Sequence, residues 1–75
     1  MQNEPFPMFP NLTAAVSRKG LTRRELAEAL GISLSTLGRR LRGSIDFRWN
    51  ELHILHALFP DVPVSVLLER RTRFN

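Results

Sequence analysis

Between Leu21 and Gly43 the chain reads LTRRELAEALGISLSTLGRRLRG, and the side chains there that could do chemistry are arginines and hydroxyls. Arg23 and Arg24 stand at one end, while Ser33, Ser35 and Thr36 precede Arg39, Arg40 and Arg42 at the other. A guanidinium can grip a phosphate oxygen or pair bidentately with the O6/N7 edge of guanine, and a hydroxyl adds a weaker, less discriminating hydrogen bond. Bond-breaking chemistry finds no comparable support. Ser17, Ser33, Ser35 and Asp46 assemble into a hydrolytic site only on paper, because no strained nucleophile turn or ordered base accompanies them. His53 and His56 lie three apart, but a structural metal site wants four ligands and the sequence positions no third His, Cys or carboxylate beside them. A glycine-rich phosphate loop is also missing. The expectation is a protein that binds and does not catalyse, with no cofactor and no metal.

Charge placement narrows what it binds. The net charge is +4, but the segment Arg18 to Arg42 holds seven basic residues against Glu25 and Glu28. Gly43 to Glu69 holds four acids against Arg48, and Arg70, Arg71 and Arg73 close the chain. Positive charge concentrated on one element and a tail is the electrostatic footprint of a polyanion's partner, with a merely solvated basic face as the plainer alternative. Seventy-five residues allow one small domain, which buries only about 60% of its unfolded surface, so dimerisation would help stability. Cysteine is absent, which removes disulfides, thiolate chemistry and Cys-based zinc sites and fits a reducing compartment. No apolar run reaches the roughly 18 to 20 residues that cross a bilayer, and MQNEPFPMFP lacks both a basic region and a hydrophobic signal core. The reading is a soluble, cytoplasmic protein with no membrane partner.

The elements that must position these side chains read as helices. Pro5 and Pro7 forbid a regular helix at the start, so residues 1–9 form an extended arm. Leu12, Ala15, Val16 and Lys19 recur at helical spacing from Pro10, and Gly20 is a natural stop, which predicts a helix over 10–19. Thr22 with Glu25 matches a capping box, so a second helix starts at Arg23 and ends at Gly31, burying Leu26, Ala27 and Leu30. Ser33 caps a third, whose inward positions are Leu34 or Leu37 with Leu41 and whose outward ones are Ser35, Thr36, Gly38, Arg39, Arg40 and Arg42. A fourth runs roughly from Asn50 to Phe59 until Pro60 breaks it, and a short fifth follows Pro63 with Val64, Leu67 and Leu68 apolar. No segment alternates with period two. Five helices and no sheet define the expected all-α class, with Phe47, Trp49 and the arm's phenylalanines read as core or cover.

Spacing makes the centre specific. Ala27 is small enough for the third helix to cross the second closely, Gly31 permits a positive φ at the turn, and Ile32 and Leu37 fill the wedge. This set, Leu26-Ala27, Leu30-Gly31-Ile32 and Leu37, is the helix-turn-helix pattern. GLTRRELAEALGISLSTLGRRLRG resembles the helix-turn-helix of the phage lambda repressor and Cro-like (XRE-like) family. The likeness extends through MFPNL before it and ELHILHALFPDVPVSVLLE after it, covering Met8 to about Glu69.

The resemblance implies a compact five-helix lambda-repressor-like domain over residues 10–69, followed by a basic tail over 70–75. It implies a small phage-type transcriptional regulator that binds a palindromic operator as a dimer, in a bacterial or phage-infected cell and on the nucleoid when bound. Ser33, Leu34, Ser35, Thr36 and Arg39 match the positions that touch base edges. Arg23 replaces the glutamine common at the first position of the second helix and is assigned, with Arg24 and Arg42, to phosphate. Arg40 stands where many members carry an aliphatic residue. It either splays toward phosphate or covers the core with its stem while its head stays in water. Val64, Leu67 and Leu68 are the expected dimer interface, since the family commonly self-associates there. The basic tail is either without a role or an arm adding phosphate contacts. The competing reading is an antitoxin or adaptor that uses the same fold for protein contacts; the nine residues before and six after the domain leave little to cover a toxin, which favours DNA.

Overall fold

A computed structural model describes residues 8–71. Most of the arm and residues 72–75 of the tail, including Arg73, lie outside the described residues. Five helices follow in order: α1 (Pro10–Lys19), α2 (Arg23–Leu30), α3 (Leu34–Arg42), α4 (Trp49–Leu58) and α5 (Val64–Leu67), with no strand among the described residues.

Local chemistry sets the boundaries. Pro10 opens α1, where its missing N–H would have been unpaired in any case. At α2 the Thr22 hydroxyl accepts from the Glu25 N–H at 3.1 Å, and the Glu25 carboxylate accepts from the Thr22 N–H at 2.9 Å, closing the capping box. Gly31 ends that helix at φ 72°. Its N–H donates to the Glu28 carbonyl at 3.1 Å, and the Ile32 N–H donates to the Ala27 carbonyl at 3.0 Å. This pair satisfies carbonyls that the helix end leaves open, and it needs the left-handed backbone that glycine adopts without strain. Ser33 then caps α3, its Oγ accepting from the Thr36 N–H at 3.0 Å.

α2 packs on both α3 and α4, α4 packs on α5, and α5 packs on α1. Leu12, Leu26, Leu37, Leu55 and Leu67 sit fully buried where these contacts meet, joined by Ala15, Ala27, Leu30, Phe9 and Phe59. Of the two candidates for the inward position of α3, Leu37 takes it and Leu34 stays 45% exposed. Phe9, an arm residue read from sequence as core or cover, is core: its ring meets Phe47 edge-on at 5.9 Å. Trp49, read in the same way, departs from that reading and stands 76% exposed at the start of α4.

The two ends of the described chain meet. The Arg71 N–H donates to the Met8 carbonyl at 2.7 Å, and the Asn11 amide donates to the Val66 carbonyl at 2.9 Å and to Glu69 Oε1 at 3.2 Å. Arg70 places its guanidinium 5.7 Å from the centre of the Phe9 ring and 3.5 Å from Asp46 Oδ1. Among the described residues no helix is long and apolar enough to cross a membrane.

Candidate nucleic-acid interface

The outer side of α3 carries no carboxylate. Leu34, Ser35, Arg39 and Arg42 are exposed along it, and Thr36 and Gly38 are half-buried. Ser33 has less freedom than the others, because its Oγ accepts the Thr36 N–H and donates to Thr36 Oγ1 at 2.9 Å. Its first task is to cap, which leaves Ser35 and Arg39 as the unencumbered polar groups and Leu34 as an apolar one. Leu34, Gly38 and Arg42 follow one another at intervals of four, so they share a line along the helix. A Cβ built on Gly38 would lie 3.3 Å from Arg42 Nη1, so the guanidinium folds back over the notch left by the missing side chain.

Arg23 and Arg24 are exposed in the first turn of α2. Cations there oppose the positive end of the helix dipole, and only Glu25 compensates within that turn. The arrangement costs the helix a little stability and leaves two exposed guanidiniums in the first turn of a helix, a placement that suits an anion.

Arg40 corrects both sequence readings of it. It neither reaches for phosphate nor keeps its head in water: it is 4% exposed and bound to Glu51, itself 1% exposed. Arg40 Nε donates to Oε1 at 2.8 Å and Nη2 to Oε2 at 3.0 Å, a two-pronged pair between α3 and the first turn of α4. Glu51 Oε1 also accepts the Arg48 backbone N–H at 2.9 Å, so one carboxylate holds the third helix and the start of its own. The hydrogen bond from Arg40 pulls the Glu51 pKa below its ordinary value against the opposing effect of burial, with help from the Arg48 N–H. In return the bond to Glu51 raises the Arg40 pKa despite its desolvation.

Glu51 was not among the residues singled out from sequence. Its signal was an acid on the apolar stripe of α4, four residues before Leu55, facing an arginine on the stripe of α3 between Leu37 and Leu41. Two opposite charges on the buried stripes of consecutive helices make a pair, since either one alone would be prohibitively costly to bury.

Residues 12–59, well over half of the 75, match the helix-turn-helix domain family. The chain belongs to that family. No curated protein and no solved structure matches it. The matched segment runs from α1 through the end of α4, so α2, the turn at Gly31 and α3 form the helix-turn-helix unit within it. A helix-turn-helix domain suggests a DNA partner. Of the hydroxyls and arginines named from sequence, Ser35, Thr36, Arg39 and Arg42 lie on α3 with Ser33 at its N-cap, Arg23 and Arg24 lie at the start of α2, and Arg40, also on α3, is buried. One residue of the expected dimer surface on α5 needs correction. Leu67 is 0% exposed and belongs to the core of a single protomer, so it offers no partner a surface, while Val64 and Leu68 are only half-buried. His53 and His56 are both exposed on α4, and no cluster of three metal-ligating side chains occurs among the described residues.

Proposed function

We propose that the protein is a sequence-specific regulator of transcription that binds double-stranded DNA, of the phage Cro or repressor type, and acts without catalysis. Two copies bind a palindromic operator, each placing α3 in one of two successive major grooves about 34 Å apart. The observation that carries the reading is the outer side of α3, where Ser35, Arg39, Leu34 and Arg42 are displayed with no carboxylate among them. Arg39 pairs with guanine, Leu34 meets a thymine methyl, and Ser35 adds a hydrogen bond of lower selectivity. Arg23, Arg24 and Arg42 hold phosphates and set the register. Occupancy of the operator then excludes polymerase.

The test is selection of bound sites from a random duplex pool at a fixed, stated salt concentration. Enrichment of an inverted repeat with guanine at equivalent positions in both halves supports the reading. A pool that stays random, or binding without a salt dependence, overturns it. Three phosphate-holding arginines per protomer give a dimer a limiting slope of about −5 in log K against log salt.

A further inference from the structure

The third helix is not turned the way its hydropathy directs. Its apolar residues are Leu34, Leu37 and Leu41, and at about 100° per residue their common direction lies close to Leu41, between Leu34 and Leu37. The buried side is instead centred between Leu37 and Arg40, 0% and 4% exposed, while Leu34 is 45% exposed and Leu41 half-buried. The two directions differ by roughly 60° around the helix axis. A helix that buried its three leucines would carry Leu34 inward and place Thr36 and Arg39 at the middle of its outer side. The observed one centres Ser35 and Arg42 outward, with Gly38 and Arg39 to either side of them and Leu34 at the margin.

Exposing one leucine and half-exposing another gives up apolar burial, so something holds the helix against its own stripe. Neighbouring helices offer little resistance: among the described residues α3 packs extensively on α2 alone, which leaves a single line of contact about which it can turn. The holding group is Glu51. Its carboxylate is fixed at the first turn of α4 by the Arg48 N–H at 2.9 Å, and it accepts from Arg40 Nε and Nη2 at 2.8 and 3.0 Å. A fork that donates two parallel hydrogen bonds to an anchored carboxylate has little angular freedom, whereas apolar contact is non-directional. Arg39 lies about 100° around the axis from Arg40, so drawing Arg40 inward turns its neighbour out.

We propose that Glu51 is a positioning residue for recognition: acting through Arg40, it sets the roll of α3 and thereby selects which side chains meet the bases. The consequence for DNA rests on the function proposed above; the roll itself does not. Two arginines stand side by side at 39 and 40, and the carboxylate decides which of them reads and which anchors. Leu34 owes its exposure, and with it access to a thymine methyl, to the same choice. A residue buried away from the DNA thus has a share in choosing the operator.

Cysteine is absent, so Leu34→Cys and Leu41→Cys each give the full chain a single thiol whose alkylation rate under native conditions reports its exposure. With Arg40 and Glu51 intact, the thiol at position 34 should react faster than the one at 41. Arg40→Ser with Glu51→Gln removes both charges and keeps an acceptor for the Arg48 N–H, so the leucines are left to set the roll. In that background the ratio of the two rates should fall by more than about tenfold. Without the cysteines, the same double variant should lose more than about tenfold of its preference for the selected operator over random duplex. Its random-duplex affinity, carried by Arg23, Arg24 and Arg42, should change by less than about twofold. Arg40→Met with Glu51→Gln refills the inward position with an apolar side chain and should return part of both ratios. Circular dichroism checks folding in each case. If the serine variant does not fold, Arg40→Lys is read instead: it keeps the charge, loses the fork, and should shift the rate ratio in the same direction by about threefold. A folded variant with unchanged rates and unchanged preference overturns the positioning and leaves the DNA reading standing. Lost preference with an unchanged rate ratio assigns Arg40 to the DNA itself and also overturns it. A changed rate ratio in a protein that prefers no sequence supports the roll and overturns the DNA reading.

Discussion

Replacing Glu51 with Gln keeps the shape of the side chain and removes its charge. The amide oxygen can still accept the Arg48 N–H, so the start of α4 keeps most of its cap. Arg40, 4% exposed, is left as a buried cation without its counter-charge. Removing one partner of such a pair costs about 3 to 5 kcal/mol, most of it the penalty for the charge left behind. A chain of 75 residues has about 4 to 11 kcal/mol of stability to lose, so Glu51→Gln should lose a large fraction of it. Urea denaturation followed by circular dichroism measures it. The double variant Arg40→Met with Glu51→Gln removes the stranded cation while retaining the cap, and should recover most of the loss. Acid provides a second axis. An unfolded glutamate titrates near 4.5, and the folded Glu51 titrates lower because of Arg40. Its contribution is therefore complete well above pH 4.5 and fades as the pH falls through the lower folded value. The wild type and Glu51→Gln should converge in acid, while Arg40 stays charged throughout. A cost under about 1 kcal/mol for Glu51→Gln, or no recovery in the double variant, refutes the assignment of this pair as the tie between α3 and α4.

Gly38→Ala should raise stability by about 0.5 to 1 kcal/mol, since the nearest atoms it meets belong to the flexible end of Arg42; if the notch faces DNA, operator affinity falls in the same variant, and thermal melting beside a binding titration separates the two effects. Gly31→Ala meets no atom within 4 Å, so its cost is the left-handed backbone alone, about 1 to 2 kcal/mol, with Gly31→Asn cheaper and the branched Gly31→Val dearer in the same urea assay. Arg39→Ala should weaken operator binding far more than random-duplex binding, whereas Arg23→Ala should weaken both alike and flatten the salt slope by about one unit; equal losses for both variants on both duplexes would contradict the division between reading and positioning.

Much of the architecture is legible because its boundaries are local. Thr22 with Glu25, Ser33 before α3, and Gly20, Gly31 and Gly43 after their helices are decisions made within three or four residues. Arg40 is not local. Hydropathy assigns an arginine outward, and its partner lies eleven positions away across a loop, where no helical periodicity connects them. Trp49 misleads for the converse reason: large apolar residues are usually covered, but this one falls on the side of α4 opposite to Glu51 and Leu55. Phe9 was legible as core or cover, since prolines that exclude a helix do not exclude burial. Leu67 belongs to a helix of four residues, barely one turn, too short for spacing to say which side is inward. The arginines of α2 and α3 were legible as a group, and their separation into one buried and several displayed needed the third dimension.

The hydrogen bond from Arg71 to Met8 makes the described chain almost a closed ring. Its entrance and exit are adjacent, and the helix-turn-helix unit lies midway around the circuit. Such a ring can be cut and rejoined: a short bridge from residue 71 to residue 8, with new termini opened in the exposed 44–46 stretch after α3, would preserve every helix and the Arg40–Glu51 tie. By the same geometry the domain can be seated as a guest within a surface loop of another protein, since its two ends ask the host for little more than a single point of attachment.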